Sequence, residues 1–295
     1  MLSEKYQRII IACSNDIMEV FSNFLLERNT GGLVIDDEKL SGQTIITAYL
    51  HPQKDKPFTQ KEINDFFSKQ LSLFPDAKYK LISLDYIKND DWLAGWKESF
   101  VPIHVTDKIV VRPSWRHYHV RTDEIEIVID PKMAFGTGHH QSTAQCLKAL
   151  EKIGCRGKRV LDYGCGTGIL AIAASKMGAA EVVAVDIDRE AIGCAKENFA
   201  LNNVDVQLIR ASDFVACPPC DIVAANLSID QIIELYNELD ESLKDEGFII
   251  FSGIPCQDRQ RFLDYINDKP YILKDDLTGS EWISYIGLKQ KPNQS

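Results

Sequence analysis

The stretch Val160-Leu161-Asp162-Tyr163-Gly164-Cys165-Gly166-Thr167-Gly168-Ile169-Leu170 decides the fold. A short apolar run ends in three glycines at alternate positions, and a helical pattern follows. Glycine removes Cβ and permits positive φ, and a helix N-terminus offers unpaired N–H groups, so such a turn lets a ligand approach the backbone. The dinucleotide fingerprint is G-x-G-x-x-G, whereas Gly164, Gly166 and Gly168 form G-x-G-x-G, with the last glycine one position early. The spacing favours a nucleoside ligand without a pyrophosphate; the plainer alternative is an ordinary tight βα turn. Asp186 follows at the end of Glu181-Val182-Val183-Ala184-Val185, where one carboxylate can accept both hydroxyls of a ribose. Asp188 competes for that role and reads better as the N-cap of a helix from Arg189 to Leu201. Asp162 opens the turn and either attracts an ammonium group or serves the turn itself.

Outward from this motif, Val182–Val185, Asp221–Ala225 and Phe248–Phe251 are further short apolar runs, each followed by a loop and a helical stretch, and Val206–Arg210 reads as the third strand. This alternation predicts an α/β fold, a doubly wound parallel sheet, with Glu281–Leu288 as a final, antiparallel strand. Asp213, after the third strand, either meets an adenine amino group or is an exposed loop acid. Asn226 ends a buried strand at the carboxyl edge, where an amide can orient an amine or simply start a loop.

The amino-terminal part reads differently. Ile17, Val20, Phe21, Phe24 and Leu25 share one helical face between Ile17 and Glu27, and Gly31-Gly32 stops that helix. Leu33–Ile35 and Thr44–Leu50 should pair as a hairpin; a helix over Gln60–Ser72 and a strand over Tyr79–Ile87 complete the order β-α-β-β-α-β. This predicts a ferredoxin-like α+β domain over residues 1–89 that lacks a catalytic cluster, so binding is its expected role. Residues 90–115 hold Trp92, Trp96, Phe100 and Trp115 and read as an aromatic interdomain linker, leaving 116–295 for the doubly wound domain.

Composition narrows the function classes. The chain has 295 residues, 33 Lys+Arg against 43 Asp+Glu, a net charge of −10, and 45% hydrophobic and 26% charged residues. These values exclude disorder and collagen, disfavour nucleic acid as a partner and fit two globular domains. No apolar run suffices for a membrane span and Met1–Tyr6 lacks a signal pattern, so a cytoplasmic protein that does not engage membranes is expected. Eight scattered cysteines read as reduced thiols. Cys217-Pro218-Pro219-Cys220 lacks a second ligand pair, so no metal site is expected; His139-His140 should line the ligand loop and His117-x-His119 a strand face.

The glycine turn with Asp186 resembles the class I S-adenosylmethionine-dependent methyltransferases. More narrowly, Asp130-Pro131-Lys132-Met133-Ala134-Phe135-Gly136-Thr137-Gly138-His139-His140-Gln141-Ser142-Thr143 is similar to the signature of the PrmA family, methyltransferases of large-subunit ribosomal protein eleven. The linker aromatics, Arg112-Pro113-Ser114-Trp115, Asn226 and Phe251-Ser252-Gly253-Ile254 fit as well, in order along nearly the whole chain. The resemblance implies that Thr143, Gly164, Asp186 and Asn226 contact S-adenosylmethionine and that Phe135, Gly136, Thr137 and Gly138 close over its methionine end. It implies that the plait recognises the ribosomal protein while the linker lets the catalytic domain reach several amines. Asn226 would hold the amine and Phe135 would shield the sulfonium, with no dedicated general base and a monomeric enzyme. Two features stand out: Leu227-Ser228 follows Asn226 in place of an aliphatic pair, and the Asn-Pro-Pro-Tyr of methyltransferases acting on planar nitrogens is absent. Rival readings are a dinucleotide oxidoreductase, a noncatalytic nucleoside-binding module, and a methyltransferase for another protein or a small amine.

Overall fold

The computed structural model describes residues 5–26, 33–38, 43–50, 56–70, 74–88, 101–130, 140–213 and 218–291. The chain divides into two compact units, Met1–Phe100 and Val101–Ser295.

In the first unit the strands β1 (Lys5–Ser14), β2 (Leu33–Glu38), β3 (Gln43–Leu50) and β4 (Tyr79–Lys88) form an antiparallel sheet in the order β2-β3-β1-β4. Helices Asn15–Leu26 and Gln60–Gln70 sit in the sequence positions expected of a ferredoxin-like plait. Period-two alternation explains the core: Ile9, Ile11 and Cys13 are buried while Arg8, Ile10 and Ala12 are only half-buried. Ile17, Phe21 and Leu25, one helical turn apart, cover that face together with Ile63. Gln7 is a buried exception, and its amide is satisfied by donating to the Phe58 carbonyl and accepting from the Phe58 N–H, both at 2.8 Å. Glu27 and Gly31-Gly32 lie outside the described residues.

The second unit contains a seven-stranded sheet built from β8 (Arg159–Tyr163), β9 (Glu181–Asp186), β10 (Gln207–Arg210), β11 (Cys220–Asn226), β12 (Leu243–Pro255), β13 (Tyr271–Thr278) and β14 (Trp282–Lys289). Their order is β10-β9-β8-β11-β12-β14-β13. The first five strands run parallel, and β14 is antiparallel to both neighbours. The antiparallel final strand is as expected; β13 is additional, an edge strand whose Lys274-Asp275-Asp276 interrupts the apolar pattern. Because side chains alternate across a strand, Val160, Val182, Ile222 and Ile250 pack on one face of the sheet and Leu161, Val183, Val223 and Ile249 on the other.

A small sheet of β5 (Ile103–His104), β6 (Ile109–Arg112) and β7 (Ile125–Val128) adds Ile109, Val111 and Ile127 to the first of these faces. Residues 101–115, part of the stretch read as a linker, are therefore built into the second unit, while Trp92, Trp96 and Phe100 lie outside the described residues. His117 and His119, expected on a strand face, instead occupy an irregular segment between β6 and β7.

Candidate functional site

β8 is the strand from which the chain winds outward in both directions, so its carboxyl end is a topological switch point, the place where open α/β sheets hold ligands. A crevice of about 670 Å³ opens there, within the size range of small-molecule sites. Its first wall is the glycine turn. Gly164, Gly166 and Gly168 all have positive φ, at 76°, 54° and 79°, a conformation that costs other residues 1–2 kcal/mol or so. The N–H groups of Gly164 and Cys165 donate to the Val185 carbonyl at 2.8 and 2.9 Å, hanging the turn on the end of β9. Asp186 continues the tie: one carboxylate oxygen accepts from Gly166 N at 2.8 Å and the other from Asp188 N at 2.9 Å. Asp188 caps the helix Arg189–Asn202 by accepting from Glu190 N, as expected.

The second wall starts at Asn226, which ends β11 opposite Ser252 of β12. Leu227 N donates to the Ser252 carbonyl at 3.0 Å, and the Leu227 side chain takes the space that a Cβ on Gly164 would fill. The unusual Ser228 has a local explanation: it forms a capping box with Gln231 at the start of the helix Ile229–Glu234, an arrangement that satisfies helix N–H groups otherwise left without partners. Gly253, with φ of 80°, lets the Leu227 backbone approach so closely that a Cβ there would strike its carbonyl.

The rim is completed by residues from far along the chain. His140 caps the helix Gln141–Ile153 through Nδ1, which lies 3.3 Å from Ser142 N and 2.7 Å from Ser142 Oγ, and its ring meets Trp282 edge-on at 4.9 Å. Burial holds the His140 imidazole below its ordinary pKa, which favours the neutral form whose Nδ1 accepts. A buried polar chain lies behind this rim. Ser252 Oγ bonds Ser284 Oγ at 2.7 Å and lies 3.2 Å from Ser142 O; Ser284 Oγ donates to Gln145 Oε1, while Gln145 Nε2 donates to Trp282 O.

Of the residues singled out in the sequence, Gly164, Gly166, Asp186 and Asn226 meet in this crevice, as does His140. Gly168 does not line it; its missing Cβ makes room for the Phe199 ring. Asp162 does not line it either. Its place on β8 turns it to the opposite face from Tyr163, where it is 1% exposed and accepts from Ala171 N at 3.0 Å. It thereby caps the helix Ile169–Lys176, whose N-cap Gly168 has no side chain to do so. Burial, with a smaller contribution from the Asp186 charge, pushes the Asp162 carboxyl up to about 7. Of the two roles that the sequence leaves open for Asp162, its described contacts are those of the turn and the helix start. Thr143 is also away from the crevice lining, and its buried hydroxyl has no hydrogen-bond partner among the described residues. Asp213 closes a single 3-10 turn, Ala211–Asp213, whose Ala211 lines the crevice; the Asp213 side chain lies outside the described residues. Phe135, Gly136, Thr137, Gly138 and Cys217 lie outside them too. Trp282, Gln231 and Glu234 line the crevice without having been picked out; the S-x-x-Q pattern of Ser228 and Gln231 was the one local signal for any of them.

A second hollow, of about 630 Å³, lies beside His104–Lys108 and Lys148–Lys152 and contains none of the candidate residues. Among the described residues no group of three or more His, Cys, Asp or Glu is placed to hold a metal, and no helix is long and apolar enough to cross a membrane.

Comparison with known proteins gives a consistent picture. The family model described as "Ribosomal protein L11 methyltransferase (PrmA)" matches residues 5–290. A protein of Acetivibrio thermocellus named ribosomal protein L11 methyltransferase is 42% identical over 260 residues, 85% of this chain and 82% of its own. A relative of the same name from Ruminiclostridium cellulolyticum is 31% identical over 309 residues, 96% of this chain and 98% of its own. Among solved structures, a ribosomal protein L11 methylase from Lactobacillus delbrueckii subsp. bulgaricus superposes with a TM-score of 0.60 at 30% identity, covering 64% of this chain and 99% of that one.

Proposed function

The chain belongs to the ribosomal protein L11 methyltransferase family, and from that premise we propose that its crevice binds S-adenosylmethionine and directs methyl transfer to amine nitrogens of a large-subunit ribosomal protein. The observation that carries this reading is the convergence of Gly164, Gly166, Asp186 and Asn226 on one crevice at the switch point of the sheet.

The residues present suit the cofactor. A carboxylate has about four lone-pair positions, and the two contacts Asp186 makes with backbone N–H groups leave capacity for two ribose hydroxyls. The glycine turn brings bare backbone to the crevice. Asp213 takes the adenine amino group, while Phe135, Gly136, Thr137 and Gly138 cover the methionine end. When bound, S-adenosylmethionine supplies a methyl group carried on a sulfonium.

The protein's task is chiefly alignment. The Asn226 carboxamide oxygen would accept an N–H of the incoming amine and orient its lone pair toward the methyl group that the cofactor would supply. A lysine amine has an ordinary pKa near 10.4, and removal from water favours its neutral form, so its proton passes to solvent without a dedicated base. Phe135 presents an aromatic face to the positive charge. The plait over residues 1–89 grips the ribosomal protein, and its connection to the catalytic unit lets one crevice serve several amines. The enzyme acts as a monomer in the cytoplasm.

Incubating the protein with methyl-labelled S-adenosylmethionine and a ribosomal extract, followed by mass analysis of labelled bands, tests the reading. Label should appear on lysine or amino-terminal nitrogen of ribosomal protein L11. Unchanged masses for every ribosomal component would refute it.

A further inference from the structure

The crevice lining contains three carboxylates and, among the described residues, no lysine or arginine. Two of the three are already committed: Asp186 to the amides of Gly166 and Asp188, and Asp188 to its helix cap. Glu234 is different. It lies on the Asn226 side of the crevice, exposed to solvent, with neither a hydrogen bond nor an ion pair among the described residues. It closes the helix Ile229–Glu234, and the next helix, Tyr236–Glu241, begins two residues later. The polar residue one turn earlier, Gln231, is held by Ser228, and the neighbouring crevice residues Leu227 and Leu235 are apolar. Local contacts therefore give no reason for a carboxylate at 234, the one uncommitted charge among the described residues of the lining.

An amine acceptor supplies that reason. It must react as a neutral nitrogen, yet it arrives from water near pH 7 as an ammonium ion. We infer that Glu234 is a specificity-determining residue whose carboxylate captures the substrate ammonium on the acceptor wall before the nitrogen reaches Asn226. The inference rests on the methyl-transfer reading above. Glu234 forms an ion pair and takes no proton, which still leaves to water; its effect lies in acceptor binding and in preference for cationic over neutral acceptors.

The test is steady-state methylation of isolated ribosomal protein L11 by the full chain at saturating donor, at low and high salt, with calorimetry of donor binding alongside. Glu234→Gln should raise the acceptor KM about threefold at low salt, the scale of one exposed ion pair, with kcat and donor affinity unchanged. Glu234→Lys should raise KM roughly tenfold by turning attraction into repulsion. Wild-type KM should rise with salt, and that rise should flatten in the Gln variant. Native KM and native salt dependence in both variants would overturn the assignment while leaving methyl transfer intact. Parallel loss of donor affinity would also overturn it, as a structural effect. Failure of the unaltered chain to methylate ribosomal protein L11 would remove the reading beneath it and the assignment together.

Discussion

The two walls of the crevice are made in different ways. The glycine-turn wall comes from successive βα connections, Gly164 to Gly166 and Asp186 to Ala191, and is held by backbone N–H groups meeting Val185 O and the Asp186 carboxylate. The Asn226 wall gathers its residues from distant places: Leu227 and Glu234 follow β11, Gly253 comes from β12, Trp282 from β14, and His140 and Ser142 from before the sheet begins. The first wall is a local structure stiffened by one side chain, and the second depends on the packing of the whole sheet. The difference teaches that donor binding and acceptor alignment are separable, and substitutions on the two walls should dissociate them.

The largest effect is expected just behind the first wall, at Asp162. Its folded-state pKa of about 7 stands above an ordinary value of 3.8, so the folded protein holds a proton that the unfolded chain has released. Its contribution to stability therefore declines as pH rises from about 4 through about 7 and levels off above that. Asp162→Asn keeps an acceptor for Ala171 N without the charge, and should remove this slope and gain ~4 kcal/mol near pH 8 relative to wild type. Urea midpoints of both proteins across that range measure it; superimposable pH profiles would show that Asp162 carries no such burden. Next in size, Asn226→Ala should lower turnover about 100-fold, the scale of a misaligned nucleophile, while donor affinity by calorimetry stays close to native. Equal loss of both would make Asn226 merely a cofactor ligand and erase the contrast between the walls. Asp186→Ala should behave inversely, weakening donor binding roughly thirtyfold through lost charge-assisted hydrogen bonds, with turnover at saturating donor much less affected. A turnover defect that excess donor cannot relieve would show that the first wall also governs alignment.

Much of this organisation was legible in the residues themselves. The plait follows from period-two and helical spacing, and every element expected in it is present, with boundaries within a few residues. The glycine turn, the Asp188 cap and the antiparallel final strand were equally readable, because each depends on residues close in the chain or on one clear apolar pattern. The strand β13 shows no clear pattern because an edge strand tolerates charges that disrupt it, and β5 and β6, of two and four residues, are too short to show a period. The methyl-transfer reading drew on the family signature around Phe135–Gly138 more than on the glycine turn, which many folds share.

Trp282 and Asp162 mark the boundary between the two kinds of information. That a βα turn with bare backbone would follow β8, and that Asp186 would stand at the end of the next strand, was written in local order, since glycine conformations and strand ends depend on near neighbours. Which carboxylate faces the crevice was decided by the pleat, which sends Asp162 and Tyr163 to opposite sides of the sheet, and by the helices that then covered each side. The arrival of Trp282 beside His140 likewise required β14 to pair with β12 and Gln145 to hold the Trp282 carbonyl. Contacts of that kind are chosen by complementary packing between distant segments, and no short stretch of residues contains both halves of the choice.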